Sequence, residues 1–499
     1  MYFNLNQFSK KVICEHNFSD ACIETTVNGN TLDLYLTATD DKVKFIEIEW
    51  NFESDNDILV LGDAWERSYG ELEFLPLAEN NRLMPWYFIA TNNKECFCFG
   101  VKTQPNAFIS FTYNTDGIKA LIDCRNGDCG VHLNGRKIHL ATFIYKKYDS
   151  ADAFASLCDY CKTICDNPIF PKERVYGGNN WYYAYGNSSF DEIVSDAKFQ
   201  KELSCSIDNS PFEVIDDCWQ INSCEGPWLP NEKFGDMKKL ADEIKAMGVR
   251  PGIWVRFLHN RDTAITDDMR ILRSGKKQYL DPTHPAVIEY IKADIERIKG
   301  WGYELIKHDF TTFDLFGGWG RELDPKLTDG GSWSFYDKTK TNAEIVLDLY
   351  RLIKETADDV YIIGCNTVSH LCAGLVEINR TGNDTSGREW DATRKNGVNT
   401  LAFRLAQNEA FYMIDADCVG ILGDNIPWEK NKQWLHVLSV SNSPLFVSCT
   451  DKVTAEQKND LAEAYRVYQD NHSVRPLDFL EGRTPLLWEI DGETVKYEW

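Results

Sequence analysis

The feature of this chain that most constrains its fold is a regular alternation of strand-like and helix-like segments, which begins near residue 175. Eight short apolar runs are separated by helical patterns, and in order they are VYGGNNW, PFEVIDDCW, RPGIWVRFL, YELIKHDF, VYIIGCN, LVEINR, FYMIDADC and PLFVS. Strands that alternate with helices are typical of βα units built on a parallel sheet. Eight such units over about 275 residues match the ~250 residues of a (β/α)8 barrel. We therefore predict an α/β fold in which residues 175–470 form a TIM barrel.

The helical patterns between these runs carry start and stop signals. Ser189 and Glu192 form a capping-box pattern, and Thr454 and Gln457 form another. An apolar stripe with helical spacing ends at Gly248, and glycine commonly closes a helix. These signals support helices as the connections between the predicted strands.

The first part of the chain differs, because apolar and polar residues alternate there in short runs. Turn signals of the Asn-Gly type separate these runs, for example at Asn28 and Asn134. This pattern predicts an antiparallel β-sandwich over residues 1–149. We predict a linker helix within residues 150–174 and a short C-terminal β segment at residues 471–499.

One loop of the predicted sandwich, LGDAWERSYGELEF, is rich in charged and aromatic residues. A polar loop of this kind is usually just solvated. The alternative is that it leans over a neighbouring site, in which case Asp63 and Trp65 would help to bind the substrate.

Net charge and hydropathy limit the partners of the chain. The formal net charge is -24 and the pI is about 4.8, which argues against nucleic acid because a polyanion requires clustered Lys and Arg. No apolar run reaches the ~20 residues of a membrane span, and the N-terminal stretch has no apolar signal segment. We predict a cytoplasmic protein without a nucleic-acid or membrane partner, and self-association into a homo-oligomer stays open.

The chain contains sixteen cysteines. Without a signal segment, free thiols are expected rather than disulfides. Cys158, Cys161 and Cys165 have a spacing that suits either a metal cluster or one face of a helix, where buried Cys acts as a small apolar residue. The helix-face interpretation is preferred, and we predict neither a metal nor a cofactor.

Polar and aromatic side chains gather at the ends of the predicted strands. In a barrel these carboxyl ends form one face, which carries the active site. Side chains alternate along a strand, so Lys307 and Asp309 share a face of the fourth run. A single Asp at such a position is often a helix cap, but caps alone do not account for so many strand ends. The candidate substrate-binding residues are Trp181, Asp216, Asp217, Trp219, Trp254, Lys307, Cys365, Asn366, Arg380 and Asp417, and the candidate catalytic residues are Asp309 and Asp384.

This combination of two carboxylates, hydroxyl-binding groups and stacking aromatics suits glycoside hydrolysis. Asp309 and Asp384 follow the fourth and sixth runs, so they can face each other across a pocket. Metal-dependent hydrolysis is the rival interpretation, because Asp415 and Asp417 resemble a ligand pair. Only nine His occur, and none clusters with these carboxylates in the sequence. Glycoside hydrolysis is therefore the preferred prediction.

Four motifs of the chain are VIDDCW, IKHDF, Arg380-x-x-x-Asp384 and IDADC. They resemble motifs of the retaining α-galactosidases of glycoside hydrolase families 36 and 27, the melibiase-like enzymes, which pair a β-sandwich with a catalytic barrel. The resemblance implies that Asp309 is the nucleophile and Asp384 the acid/base. The residues that it implies for binding the terminal sugar are Asp216, Asp217, Lys307 and Arg380.

The activity implied by this resemblance is removal of terminal α-linked galactose from oligosaccharides or glycoconjugates by a retaining double displacement. Family 27 has a Cys-Glu pair where this chain has Cys365 and Asn366, so N-acetylgalactosamine stays open as the substrate sugar. α-Glucosidase activity and galactosyl transfer are alternatives on the same scaffold, and a non-catalytic sugar-binding protein is the alternative from another class. The acid role of Asp384 further predicts that Arg380 contacts the sugar or turns elsewhere, and does not pair with Asp384.

Overall fold

The computed structural model describes residues 3–16, 19–323 and 332–499. Among these residues, fourteen strands precede the first α-helix and form two antiparallel sheets of seven strands each. In chain order they are β1 (Ser9–Cys14), β2 (Cys22–Asn28), β3 (Thr31–Thr37), β4 (Lys42–Asn51), β5 (Leu59–Gly62), β6 (Leu75–Pro76), β7 (Met84–Pro85), β8 (Tyr87–Thr91), β9 (Cys96–Val101), β10 (Phe108–Asn114), β11 (Gly117–Asp123), β12 (Arg125–Asn126), β13 (Cys129–His132) and β14 (Lys137–Tyr148). The first sheet has the order β12-β13-β4-β11-β10-β7, with β1 beside β4, and the second has the order β2-β3-β14-β9-β8-β5-β6.

Alternating apolar side chains explain how these two sheets pack. In β3, Leu32, Leu34 and Leu36 are buried, while the residues between them are more exposed. This is the period of a strand with one face in a core. Trp50 of the first sheet meets Phe99 of the second edge to face, with ring centroids 5.1 Å apart. The apolar faces of the two sheets therefore share one core.

Helix α1 (Ala153–Ile164) follows the sheets and packs against the second one. Asp152 caps its N-terminus, and Tyr160 donates its hydroxyl to Ile144 O at 2.9 Å. Cys161 is fully buried on this helix. Each of the sixteen cysteines of the chain is a free thiol, as the sequence predicts.

A nine-stranded parallel sheet is the main element after α1. Its strands and two hairpins are, in chain order, β15 (Tyr176–Asn179), β16 (Phe212–Ile215), β17 (Gln220–Asn222), β18 (Glu225–Pro230), β19 (Arg250–Val255), β20 (Arg270–Arg273), β21 (Lys276–Leu280), β22 (Leu305–His308), β23 (Tyr361–Gly364), β24 (Ile378–Arg380), β25 (Met413–Asp415), β26 (Val419–Gly420) and β27 (Leu445–Ser448). The order across the parallel sheet is β25-β24-β23-β22-β19-β16-β15-β27-β26, and β17-β18 and β20-β21 are the hairpins. The mixed α/β architecture predicted from the sequence is confirmed.

The two end strands of this sheet, β25 and β26, are separated by three residues in the chain. β25 pairs with β24, whereas β26 pairs with β27. Asp417 lies between them with a left-handed backbone, φ 81°. The seventh predicted run therefore gives a short strand and a break, because a left-handed residue does not continue a β ladder.

Helices alternate with the parallel strands. They are α2 (Trp181–Ala184), α3 (Phe190–Leu203), α4 (Met237–Ala246), α5 (Pro285–Trp301), α6 (Thr311–Phe316), α7 (Asn342–Ala357), α8 (Ser369–Cys372), α9 (Trp390–Ala392), α10 (Asn399–Arg404), α11 (Trp428–Val440) and α12 (Ala455–Val467), with a π-helical turn at Thr393–Val398. The capping box of Thr454 and Gln457 is formed at the start of α12. Within the described ranges, none of the helices has both the length and the apolar character needed to cross a lipid bilayer.

The last strands, β28 (Val474–Pro476), β29 (Leu487–Ile490) and β30 (Glu493–Lys496), form a small antiparallel sheet. The Tyr497 hydroxyl lies 2.7 Å from His436 Nδ1 of α11. The C-terminal sheet is thereby attached to a helix of the parallel-sheet part.

Buried polar contacts join the N-terminal sheets to the segment around the start of α7. Asn126 Nδ2 donates to the carbonyl oxygens of Asp337 and Lys340, each at 2.8 Å. Asn342 Oδ1 accepts from Gly127 N at 2.6 Å. Loops of the N-terminal sheets are thus held against the parallel-sheet part of the chain.

Candidate active site

A cavity of about 250 Å³ lies at the carboxyl ends of the parallel strands. This volume is below the ~300–1,000 Å³ of pockets for drug-sized ligands, so it suits one six-membered ring with its hydroxyls. All predicted site residues except Asp63, Trp65 and Trp219 line it. The predicted residues in its wall are Trp181, Asp216, Asp217, Trp254, Lys307, Asp309, Cys365, Asn366, Arg380, Asp384 and Asp417, and the others are Arg67, Asn179, Tyr182, Cys224, Phe310 and Trp319.

Asp309 follows β22 and accepts three hydrogen bonds. Its Oδ2 accepts from Trp254 Nε1 at 3.0 Å, and its Oδ1 accepts from Phe310 N at 2.7 Å. With its amide oriented to match its neighbours, Asn366 also donates to Oδ1, at 2.5 Å. Burial raises the pKa of Asp309, and the positive charge of Arg67 opposes that rise. The carboxyl group is therefore fixed in one orientation, with donors that stabilise its ionised form.

Lys307 and Asp216 form a buried ion pair in the cavity wall. Lys307 Nζ lies 2.7 Å from Asp216 Oδ2, and the two side chains are 12% and 4% exposed. Asn179 Nδ2 donates to the same oxygen at 2.9 Å. Burial disfavours the ammonium, but the Asp216 carboxylate raises the pKa of Lys307 well above its usual range. The pair presents a donor and an acceptor to ligand hydroxyls.

Asp217 organises the hairpin β17-β18. Its Oδ1 accepts from Cys218 N at 2.7 Å, from Gln220 Nε2 at 2.6 Å and from Cys224 N at 2.9 Å. Its Oδ2 lies 3.2 Å from Ser223 Oγ. Asp217 therefore shapes the rim of the cavity as well as lining it.

Asp384 lies four residues after the end of β24, and its side chain is 45% exposed. Arg380 Nη2 lies 3.2 Å from Asp384 Oδ1, and Arg67 Nη1 lies 3.3 Å from the same oxygen. Partial burial disfavours ionisation, but the two guanidinium groups hold the pKa of Asp384 below its usual value. The expectation that Arg380 avoids Asp384 is therefore wrong for this structure, because the chain turns after β24 and brings the carboxylate back onto the arginine.

Arg380 also pairs with Asp417, with Nη2 and Oδ2 2.5 Å apart and both side chains 3% exposed. Tyr182 donates its hydroxyl to Asp417 Oδ2. Thr385 donates to the same oxygen from its backbone N at 2.7 Å and from Oγ1 at 2.9 Å. These contacts favour a role for Asp417 in orienting Arg380.

Asp63 and Trp65 belong to the loop between β5 and β6, and both are buried outside the cavity wall. Asp63 Oδ1 accepts from Arg404 Nε at 2.8 Å, and Trp65 Nε1 donates to Leu323 O at 2.9 Å. The loop does reach the cavity, as one of the two interpretations proposed, but it does so through Arg67.

Trp219 is fully buried and donates from Nε1 to Trp254 O at 2.8 Å. Cys218 before it has φ 78°, so the chain turns away from the cavity directly after Asp217. The aromatic wall is made instead by Trp181, Trp254 and residues that the sequence did not single out. These are Phe310 and Trp319, with ring centroids 5.3 Å apart, and Tyr182.

Two thiols lie in the wall, those of Cys224 and Cys365. Burial raises the pKa of both, so they are neutral at physiological pH. In the part of the chain that the structure describes, no group of three or more His, Cys, Asp and Glu side chains is arranged to hold a metal ion.

The residues that sequence reasoning missed fall into two groups. Tyr182 and Phe310 directly follow singled-out residues and Asn179 lies two residues before Trp181, so inspection of the flanking positions would have found them. Arg67, Cys224 and Trp319 come from loops, where no periodic pattern tells which side chain faces a cavity.

Neither the protein-family models nor the curated proteins contain a match to this chain. Solved structures do match. The α-galactosidase TtGalA of Thermus thermophilus, in complex with p-nitrophenyl α-D-galactopyranoside, is 14% identical over 98% of this chain and 99% of its own, with a TM-score of 0.63. The glycoside hydrolase family 36 α-galactosidase AgaA of Geobacillus stearothermophilus is 14% identical over 94% of this chain and 70% of its own, also at 0.63.

An α-N-acetylgalactosaminidase, NagBb of Bifidobacterium bifidum, is similar as well. It is 12% identical over 96% of this chain and 90% of its own, with a TM-score of 0.55. At these identities the similarity concerns the fold, and it extends over nearly the whole chain. The chain therefore has the fold of the α-galactosidases of glycoside hydrolase family 36.

Proposed function

We propose that this protein is a retaining α-galactosidase that removes terminal α-linked galactose from oligosaccharides or glycoconjugates. The observation that carries the proposal is that Asp309 and Asp384 both line one cavity of about 250 Å³, together with a lysine, an arginine and several aromatic rings. Two carboxylates around a sugar-sized cavity are what double displacement at an anomeric carbon requires. The similar TtGalA structures contain p-nitrophenyl α-galactoside and stachyose, which supports galactosides as substrates.

In the first step Asp309 attacks the anomeric carbon and forms a glycosyl ester, and the bond to the leaving-group oxygen breaks. The donors Trp254 Nε1, Phe310 N and the Asn366 amide hold the Asp309 carboxylate in place. Asp384 gives its proton to the leaving oxygen. In the second step Asp384 takes a proton from water, and that water displaces Asp309 with return to the α configuration.

The acid role requires a proton on Asp384, although Arg380 and Arg67 favour its ionised form. Both arginines have a second acceptor, since Arg380 contacts Asp417 and Arg67 contacts the Asn366 amide oxygen. A sugar that enters beside Asp384, together with the charge of Asp309, shifts the balance towards the protonated acid.

The remaining wall residues bind the terminal sugar. We expect Lys307 and Asp216, which form an ion pair in the wall, to bond two of its hydroxyls, and Asp217 holds the rim hairpin beside them. Trp181 and Trp254 provide apolar faces on which a sugar ring packs. A cavity of this volume admits one ring, so the enzyme acts on chain ends.

The scaffold that we propose is a (β/α)8 barrel at residues 175–470, closed by the two parts of an interrupted seventh strand. Supporting this, β25 and β26 are neighbours in the chain and pair with β24 and β27 at the opposite ends of the sheet order. The sandwich is assigned to residues 1–149, the linker helix to 150–174 and the C-terminal β segment to 471–499. A cytoplasmic location and homo-oligomer formation stay predictions.

Removal of N-acetylgalactosamine is the second candidate activity. The observation that favours it is Asn366, an amide beside Cys365 where a carboxylate would read the 2-hydroxyl group in a family 27 galactosidase. Similarity to NagBb is consistent with it. α-Glucosidase activity and galactosyl transfer have no specific contact in their favour.

A panel of p-nitrophenyl α-glycosides tests the proposal. We expect turnover of the α-galactoside, weaker turnover of the N-acetylgalactosaminide and none of the β-galactoside. Asp309→Asn should remove turnover with an unchanged circular dichroism spectrum, because a neutral amide does not form the ester. A fluorinated α-galactosyl donor should label Asp309, and a label on another residue would overturn the assignment.

A further inference from the structure

The loop that carries Arg67 is joined by its backbone to the segment that carries Asp384. Ser68 N donates to Thr381 O at 2.9 Å, and Asn383 N donates to Ser68 O at 2.9 Å. These two bonds form a short parallel bridge between the N-terminal sheets and the end of β24. Arg67 is next to Ser68 in the chain, and Asp384 is next to Asn383. The hydrogen bonds of Ser68 and Asn383 therefore hold the backbones of Arg67 and Asp384 near each other.

Glu66 anchors the same loop from the other side. It is fully buried, and its carboxylate accepts from Gly320 N at 2.8 Å, from the Tyr69 hydroxyl at 3.1 Å and from the Thr312 hydroxyl. A Cβ atom on Gly320 would lie 2.2 Å from Glu66 Cγ, so the fit leaves no space for a larger residue. The loop therefore has little freedom to move Arg67.

The Arg67 guanidinium contacts Asp384 directly and is connected to Asp309 through the Asn366 amide. Nη1 lies 3.3 Å from Asp384 Oδ1. Nε donates to the Asn366 amide oxygen at 2.8 Å, and the amide nitrogen of Asn366 donates to Asp309. The Trp319 ring covers the guanidinium at 5.5 Å, and the Arg67 side chain is only 10% exposed. The cation is thus shielded from solvent between two acids.

We propose that Arg67 is a positioning residue for the reaction, which aligns Asp384 by direct pairing and Asp309 through Asn366. This rests on the proposed function, because it takes these two carboxylates as acid/base and nucleophile. The N-terminal sheets then supply a part of the active site that the parallel strands lack.

Loss of the Arg67 charge should change the pKa values of both candidate catalytic carboxyl groups in the same direction. The charged and titratable groups around Asp384 are Arg380, Arg67, Lys307, Asp309, Asp417, Tyr182 and Tyr185. The Arg67 cation favours the ionised forms of Asp384 and Asp309. Removal of its charge should therefore raise the pKa values of both groups. The acid limb of a pH-rate profile needs ionised Asp309 and the alkaline limb needs protonated Asp384. Both limbs therefore move to higher pH.

The direct test is a carbon-13 NMR titration of protein labelled at the Asp carboxyl carbons, in which the Asp384 signal is the one lost in Asp384→Asn. We expect Arg67→Gln to raise the pKa of Asp384 by about 1 unit. This is the lower end of the ~1–3 units for an opposite charge nearby, because Asp384 is partly exposed. Arg67→Lys keeps the charge without the planar fork and should give a smaller shift in the same direction.

The matched control is Arg321→Gln. Arg321 stacks over the Tyr69 ring at 4.6 Å, so its loss removes a charge from the same region without a contact to Asp384, and the Asp384 titration should not move. An unmoved Asp384 signal in both Arg67 variants would overturn the proposal. If Arg67→Gln does not fold, as judged by circular dichroism, Arg67→Lys decides alone.

Kinetics with p-nitrophenyl α-galactoside provide the second readout. Both limbs of kcat/KM should move upward in Arg67→Gln, and a lower rate with unmoved limbs would mean a purely structural anchor. Absence of hydrolysis by the natural protein would refute the proposed function, whereas the NMR titration would still decide whether Arg67 pairs with Asp384 in solution.

Discussion

Glu213 on β16 should make the unfolding free energy depend on pH, because it is a buried carboxyl group next to another acid. It is 1% exposed, and within the described residues its Oε2 has no hydrogen-bond partner. Burial, and then the charge of Asp196, raise the pKa of Glu213 well above its usual range. Burial also raises the pKa of Asp196, to about 7, against the hydrogen bond from Tyr183. Folding at neutral pH therefore makes Glu213 take up a proton.

The size of the effect follows from linkage between protonation and folding. An unfolded glutamate is ionised above pH ~4.3, so each pH unit between that value and the raised folded pKa removes about 1.4 kcal/mol of unfolding free energy. The stability is fully present below the unfolded pKa and is lost as pH rises through the folded pKa. Glu213→Gln has nearly the same shape and no proton to lose. Its advantage over the natural protein should be close to zero at pH 4.5 and grow by about 1.4 kcal/mol per pH unit.

Urea unfolding followed by circular dichroism at pH 5, 6, 7 and 8 measures this difference. The control is Glu377→Gln, since Glu377 is also buried but lies 2.5 Å from Lys354 Nζ. That variant should be destabilised by about 1–3 kcal/mol at neutral pH, because it removes the carboxylate that pairs with a partly buried ammonium. Parallel pH dependences for Glu213→Gln and the natural protein would refute the reasoning.

Two further predictions concern the site. Asp384→Ala should still form the glycosyl ester from aryl galactosides with good leaving groups but should fail on ordinary oligosaccharides. Azide should restore turnover of the aryl galactosides and give an α-galactosyl azide. A β-galactosyl azide would mean that the enzyme is inverting. Lys307→Met should lower the unfolding free energy by about 3–5 kcal/mol at pH 7, because it leaves the buried Asp216 carboxylate without its cation. Adding Asp216→Asn should recover most of that loss in urea unfolding, and a single variant as stable as the natural protein would contradict the importance of the pair.

The part of the site that could be predicted lies at strand ends. Asp309, Lys307 and Asp216 directly adjoin apolar runs, and strand periodicity fixes the face on which such residues lie. The alternation of strands and helices could also be predicted, because each strand of a buried parallel sheet is a run of apolar residues. Local pattern and tertiary structure agree there.

The residues that were missed or wrongly placed by the sequence analysis depend on long-range geometry. Asp63 and Arg67 lie in one loop, yet one is tied to Arg404 behind the cavity and the other enters it. No periodicity distinguishes the two positions in advance. Contact between Arg380 and Asp384 likewise depends on the turn after β24, whose course is set by the bridge to Ser68.

That bridge at Ser68 has a consequence for protein engineering. The parallel-sheet part, if excised at residue 175, would lose the bonds to Thr381 O and from Asn383 N, and with them the support of the segment leading to Asp384. A chimera that exchanges the N-terminal sheets for those of a relative would likewise have to match residues 63–68 to residues 381–384. The N-terminal sheets and the parallel-sheet part should therefore be transferred together in recombination, although each has its own sheets.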